Sequence, residues 1–410
     1  MEELFRSLLG LIKNHNEWRL KNSINLISSE NILSPEVRAL LAVDFAGRYT
    51  SRESFYRGTK YMDEIEKIGT EVAKELFNAE YADLRPLSGH IATLAFLASS
   101  IKENETILCV SPEDGGYPGM AKNALPKFLG INVEYLPFNK EEYIIDVDAT
   151  LNLIEKVKPN FIIFDFSLIL RKQPVEEIYS KIKDKEIKVA YDGSHVLGLI
   201  AGREFQNPLK EGAVALYGST HKSFFGPQGG IILSNKTIGD EIDKVIFPSI
   251  IDNAHWNRIA SLTLALIEMK EFGKEYAKQV VRNSKRLAKA LFEFGMPIKG
   301  PRDILTESHQ VYLDFGNKVE NQRFAIELER VNIITDSAIR LGTNEVTRLG
   351  MKEKEIDEIA ELIYKTYKKE DSEKIKKEVI KLKKEFNNIH FRFNNFNLEE
   401  IIEIILKNGN

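Results

Sequence analysis

Between residues 62 and 235 short apolar runs alternate with helical periodicity, and this alternation restricts the fold more than any other feature of the chain. The apolar runs lie at Thr106–Val110, Asn132–Leu136, Phe161–Phe166, Lys188–Tyr191, Val214–Gly218 and Gly230–Ser234, with candidate helices between several of them. Strands that alternate with helices build a mostly parallel sheet covered on both faces, and such sheets bind ligands at the carboxyl ends of their strands. A helical pattern over Asp63–Leu76 leads into this region. Ahead of it, residues 1–20 read as a helix with Leu4, Phe5, Leu8, Leu9 and Ile12 on one face. The stretch from Ser28 to Tyr61 is a long polar loop, and loops of that length commonly carry function.

Beyond about residue 270 the pattern turns helical and charged. Tyr276–Phe294 and Ile356–Tyr367 read as helices and Val311–Phe315 as a strand, which together suggest a smaller α+β domain. Lys368–Asn410, rich in Lys, Glu and Ile, reads as a solvated amphipathic helix. A chain of 410 residues exceeds what one core usually serves. The expected organisation is an N-terminal helix and arm over 1–61, a large α/β domain over 62–270 and a small C-terminal α+β domain over 271–410.

Composition narrows the function. With 43% hydrophobic and 29% charged residues the chain has the balance of a water-soluble globular protein. Its net charge is -4 and no Lys/Arg cluster is interleaved with aromatics, which argues against nucleic acid as a partner. The longest apolar run, Phe161 to Leu170, is interrupted by Asp165 and too short to span a bilayer. The N-terminus does not read as a signal peptide, so the expected location is cytoplasmic, with no membrane partner. Cys109, the single cysteine, sits in an apolar run away from any metal-ligand spacing, and no metal is expected.

Three segments carry chemistry. In Val189-Ala190-Tyr191-Asp192-Gly193-Ser194-His195 an apolar strand ends in a carboxylate at the edge of the sheet. Such an aspartate can meet a metal, a ribose or a protonated ring nitrogen, and equally can cap a helix. Thirty residues on, Leu216-Tyr217-Gly218-Ser219-Thr220-His221-Lys222 places a lysine after a strand, beside hydroxyls and an imidazole and before a Gly-Pro-Gln-Gly-Gly turn. A lysine amine in such a setting suits Schiff-base chemistry. Upstream, Pro86-Leu87-Ser88-Gly89-His90 precedes a helical run, and a helix start with a serine hydroxyl makes a phosphate site. Together these supply a phosphate cup, an acid for a pyridinium nitrogen and an amine, the parts that a pyridoxal phosphate enzyme needs.

The ordered motifs now point to a family. Asn25-Leu26-Ile27-Ser28-Ser29-Glu30-Asn31, Tyr56-Arg57-Gly58-Thr59-Lys60-Tyr61-Met62-Asp63-Glu64-Ile65-Glu66 and Asp192-Gly193-Ser194-His195-Val196-Leu197-Gly198 come first. Ser219-Thr220-His221-Lys222, Gly226-Pro227-Gln228-Gly229-Gly230 and Ile339-Arg340-Leu341-Gly342-Thr343 follow. In these the chain resembles serine hydroxymethyltransferase, particularly its archaeal branch, among the fold-type-I pyridoxal phosphate enzymes. The resemblance implies a large, mostly parallel seven-stranded α/β domain, a smaller α+β domain and a homodimer with shared active sites. It also implies roles. Lys222 forms the Schiff base, Asp192 faces the pyridine nitrogen, and His195 and Ser167 lie near the phenolic oxygen. Ser88, Gly89 and Ser219 belong to the phosphate and cofactor site, and His221 sits beside Lys222. Arg340, with Ser29, holds the substrate carboxylate. Tyr49 and Tyr61 reach the neighbouring subunit's site.

The chain departs from the family pattern at five places. Tyr117, in Asp114-Gly115-Gly116-Tyr117, stands where the family stacks a histidine on the cofactor. A phenol can stack and donate, but it is a poor base at neutral pH. The segment before Tyr56 is short, leaving Glu53 as the candidate acid there. The loop before Arg340, which in the family helps to hold a tetrahydropterin, is also short. Asp165 and Phe166 replace glycines before Ser167, with Arg171-Lys172 following, and Ser249 replaces a glycine after Phe247-Pro248. Groups that handle the cofactor and the amino-acid carboxylate are kept, and those that serve the pterin are altered. The expected activity is aldol-type cleavage or formation at Cα–Cβ of an amino acid, such as serine–glycine hydroxymethyl transfer. The alternatives are a pterin-independent aldolase or transaldolase, on a more anionic substrate if Arg171 and Lys172 face it, and a catalytically weak regulatory paralogue. Intact Lys222, Asp192 and Arg340 argue against the last.

Overall fold

The structure, a computed structural model, describes residues 1–49, 55–301, 303–394 and 398–407. The chain divides into two compact units, Leu33–Lys278 with Phe391–Asn410, and Met1–Ile32 with Gln279–His390. These differ from the expected segments in that the first 32 residues join the late part of the chain and the last 20 join the sheet-bearing unit. The 38-residue helix α4 (Trp256–Glu293) runs through both.

The larger unit is built on a seven-stranded sheet. Its strands are β1 (Tyr81–Asp83), β2 (Thr106–Cys109), β3 (Asn132–Tyr135), β4 (Phe161–Asp165), β5 (Lys188–Asp192), β6 (Ala215–Ser219) and β7 (Gly230–Ser234). They lie in the order β1-β7-β6-β5-β4-β2-β3. All neighbouring pairs are parallel except those of β7, which runs antiparallel to both β1 and β6. The six strands anticipated from apolar runs are present. β1 is the addition, a three-residue strand too short and too polar to register as a run. Every residue of β4, β6 and β7 is buried, as central strands covered on both faces require.

Helix α3 (Gly89–Ser100) covers β6 and β7. Ser88 caps it, its hydroxyl accepting from Ile91 N at 3.1 Å. Helix α2 (Lys60–Phe77) ends at Asn78, whose left-handed φ of 58° lets its N–H close on the Lys74 carbonyl. No helix among the described residues is long and apolar enough to cross a membrane.

The smaller unit has its own core, in which Leu26, Leu313, Ile333, Leu341, Ile359 and Ile363 are fully buried. Its three-stranded antiparallel sheet pairs Gln310–Leu313 with both Ile298–Lys299 and Arg340–Gly342. Helix α1 (Glu2–His15) forms as its periodicity indicates, yet it buries no residue. Leu4, Phe5, Leu8, Leu9 and Ile12 are all exposed. The C-terminal stretch is less solvated than its charge suggests. Helix α6 (Ser372–Glu385) lies on α5 (Glu353–Tyr367) and buries Ile375, Val379, Leu382 and the stem of Lys383, a face at helical spacing that outweighs the surrounding lysines.

Candidate active site

Five strand ends converge on one edge of the large sheet. β1 leads through a turn held by Asp83, whose carboxylate accepts from Arg85 N at 2.8 Å and from the Arg85 guanidinium at 2.6 Å, to Ser88 and Gly89 at the start of α3. Gly230 N donates to Pro86 O at 2.9 Å and fastens that turn to β7. β4 delivers Phe166 and Ser167, β5 delivers Asp192, Ser194 and His195, and β6 delivers Ser219 to Lys222. The segment after β2 brings in Tyr117. Of these, Tyr117, Phe166, Ser167, Asp192, Ser194, His195, Ser219 and Lys222, with Gly89 and His90, line one cleft.

Seven predicted site residues therefore meet in one pocket: Gly89, Tyr117, Ser167, Asp192, His195, Ser219 and Lys222. Glycine at 89 is a steric necessity. A Cβ there would lie 2.2 Å from Ser219 Oγ and 2.9 Å from Ser219 N, so only glycine lets the helix start close on the β6 terminus. Ser219 N in turn donates to Ser194 Oγ at 3.0 Å.

The electrostatics of the pocket suit a cationic ring. Asp192 is buried, and desolvation pushes its carboxyl pKa up. Bonds from Ser194 and Thr93 and the charge of Lys222 oppose that rise. Ser194 N donates to Asp192 Oδ1 at 2.8 Å. Burial, then the Lys222 charge, pushes the His221 pKa down to about 4, and its Nδ1 is buried with no hydrogen-bond partner. His221 is accordingly a neutral imidazole near neutral pH. Tyr117 is pushed up to about 12 by burial and by Asp192, so it stays a phenol, and its hydroxyl lies 2.6 Å from His90 Nδ1. The phenol donates in that pair where His90 carries its proton on Nε2, and accepts where the proton is on Nδ1.

The remaining predicted residues stand elsewhere. Tyr49 donates to Asp252 and packs against Tyr56, and Asp252 with burial raises its pKa to about 12. Tyr61, at the start of α2, is 70% exposed. Glu53 lies outside the described residues. Arg340 and Ser29 belong to the smaller unit, where Gly342 N donates to Leu26 O at 2.7 Å and Leu341 pairs with Ile27, laying the arginine's strand along the Ser28–Ser29 turn. Arg340 Nε donates to Asp336 Oδ2 at 2.9 Å. Arg171, a candidate reader of anionic substrates by its place in the sequence, is instead held by Glu142 at 2.8 Å and does not line the pocket. His90 and Ser194 line it without having been given a role, as does Phe166, marked in the sequence only as a replaced glycine, and Thr93 reaches Asp192 from one turn into α3. For His90 and Ser194 the only sequence signal is adjacency to Gly89 and His195.

The serine hydroxymethyltransferase family model matches residues 3–363. The chain belongs to the serine hydroxymethyltransferase family. The serine hydroxymethyltransferase of Methanocaldococcus jannaschii is 44% identical over 391 residues, covering 90% of this chain and 91% of that relative. That of Archaeoglobus fulgidus is 41% identical over 380 residues, covering 88% and 86%. Among solved structures, L-threonine transaldolase from Pseudomonas fluorescens matches with a TM-score of 0.91 at 26% identity, over 99% of both chains. As a serine hydroxymethyltransferase family member the chain is a pyridoxal-phosphate-dependent transferase of fold type I. The pocket suits that cofactor, because a buried carboxyl, a lysine amine and a glycine-lined helix start are the donor set it needs.

Proposed function

We propose that this enzyme makes and breaks the Cα–Cβ bond of an amino acid in the manner of serine–glycine hydroxymethyl transfer, with a tetrahydropterin as the one-carbon carrier. The observation that carries the reading is the convergence of Lys222, Asp192 and the Gly89–Ser219 contact on one pocket. When bound, pyridoxal phosphate supplies a sink for the electron pair of the α-carbon bond. Lys222 would hold it through its amine, Ser88, Gly89 and Ser219 its phosphate, and Ser167 and His195 its phenolic oxygen.

Asp192 would keep the proton on the ring nitrogen, since a buried carboxylate gains most from a cation beside it. Tyr117, which lines the pocket, would face the ring, and its hydroxyl is bonded outward to His90. It holds its proton and does not act as a base. His221, neutral, adds no positive charge beside the Lys222 amine. For Arg340 and Ser29, assigned to the substrate carboxylate, and for Glu53 as the acid, support comes from the family resemblance.

We read the enzyme as a homodimer in which Tyr49 and Tyr61 serve the partner's site. The uncovered apolar face of α1 and the exposure of Phe55 and Tyr61 support that reading.

A second reading, pterin-independent transaldolase chemistry, draws on the likeness to the threonine transaldolase along its whole length and on Tyr117. One experiment separates the two. Purified protein with pyridoxal phosphate and glycine is followed by NMR for loss of the α-proton and formation of serine, with and without a tetrahydropterin carrying a one-carbon unit. Serine formation that requires the pterin supports hydroxymethyl transfer. Glycine proton exchange indifferent to every pterin, with transfer from threonine to an added aldehyde, supports the second reading.

A further inference from the structure

The carboxyl group at the end of β4 does not line the pocket, yet it stands beside Asp192, which does. Asp165 is completely buried, and its register partner on β5 is Asp192. Its Oδ1 accepts from Val110 N at 2.8 Å, and its main-chain carbonyl accepts from Tyr117 N at 2.7 Å. One residue thus holds both ends of the segment 110–117. Within that segment Gly116 N donates to Ser111 O at 2.9 Å, and Ser167 N and Leu168 N donate to Gly115 O at 2.8 and 2.9 Å. A Cβ on Gly116 would fall 2.2 Å from Val110 O, so the neck of the loop closes as far as backbone permits. Asp165 Oδ2 is buried without a hydrogen-bond partner. Burial first, with the Asp192 charge adding to it, raises this carboxyl's pKa well above the usual range.

We propose that Asp165 is the positioning residue for Tyr117: its side-chain and main-chain oxygens close the neck of the 110–117 loop and aim the phenol at His90. Two departures from the family pattern, the acid at 165 and the tyrosine at 117, then form one mechanical unit. The proposal rests on the reading of Tyr117 as a residue of the cofactor pocket.

Two measurements test it. Amide hydrogen exchange of the apoprotein reads the clamp itself, and the pyridoxal phosphate affinity of Asp165→Gly, Tyr117→Phe and the double variant reads its consequence. Asp165→Asn, which keeps the acceptor without needing a charge, is expected to leave exchange at Val110 and Tyr117 unchanged and affinity within about twofold. Asp165→Gly is expected to speed exchange at both amides and weaken the cofactor roughly five- to tenfold, the effect of one lost hydrogen bond. Tyr117→Phe should then weaken the Asp165→Gly protein no further. Should the glycine variant fail to fold, Asp165→Ser, with a hydroxyl too short to reach Val110, gives the same readout. Unchanged exchange at Val110 and Tyr117 in the glycine or serine variant would overturn the clamp, as would a Tyr117→Phe effect of equal size in both backgrounds. If Tyr117→Phe leaves the parent affinity unchanged, the pocket reading of Tyr117 fails while the exchange result still decides the clamp.

Discussion

Substituting Gly89 by alanine puts a methyl group where the start of α3 meets the end of β6. The new Cβ would stand 2.2 Å from Ser219 Oγ and 2.9 Å from Ser219 N, against ordinary contacts of 3.4–4 Å. The hydroxyl can rotate aside. The backbone nitrogen cannot, because it donates to Ser194 Oγ and its strand lies inside the sheet. The helix start must therefore shift by about half an ångström, at the cost of roughly 1–3 kcal/mol that overpacking carries. Because the strain falls on the groups assigned to the phosphate, most of it should appear as lost affinity, roughly five- to hundredfold. The assay titrates apoprotein with pyridoxal phosphate, following the cofactor's absorbance, beside a thermal melt. Gly10→Ala is the control. That glycine lies inside α1, and a Cβ added there would meet nothing within 4 Å, so alanine should leave affinity alone and hold or raise Tm. A Gly89→Ala protein that binds the cofactor as tightly as the parent, with unchanged Tm, would refute the steric argument and with it the phosphate assignment.

Three further outcomes follow from the same geometry. His221 has its pKa lowered from 6.5 to about 4, so the unfolded chain binds a proton over that window that the native chain does not, and the apoprotein should lose stability as pH falls through it. Urea melts should show a loss on the order of 2–3 kcal/mol that His221→Gln lacks. Arg171→Ala should leave the substrate KM within about twofold, because Glu142 already holds the guanidinium. A large rise would return Arg171 to the substrate site. Removing residues 1–15 should convert a dimer to a monomer in sedimentation, and an unchanged mass would show that the apolar face of α1 serves something else.

The large sheet was legible because its central strands are unbroken apolar runs, such as Phe161 to Phe164, that only a doubly covered sheet can bury. β1 was not, since three residues ending in the ion-paired Asp83 give no run. The late helix α6 hid its buried face among lysines, and only the spacing of Ile375, Val379 and Leu382 betrays it. At the site, Lys222 and Asp192 could be read because each follows an apolar strand and carries its own chemistry, and Ser88-Gly89 because a helical run follows it. His90 could not, because its partner Tyr117 is 27 residues away and the bond exists only once two strand ends meet. Asp165 was visible merely as a departure from a pattern. That it joins Val110 to Tyr117 depends on the register of β2, β4 and β5, which no local signal encodes.

The chemistry depends throughout on pyridoxal phosphate being held in this pocket by Lys222. Reduction of the cofactor-loaded protein with borohydride, digestion and mass spectrometry test that attachment directly, since reduction fixes the cofactor to the amine that carries it. One pyridoxyl group per chain is expected, on the peptide containing Lys222. A label on another lysine, or none on a protein that remains folded, would contradict it.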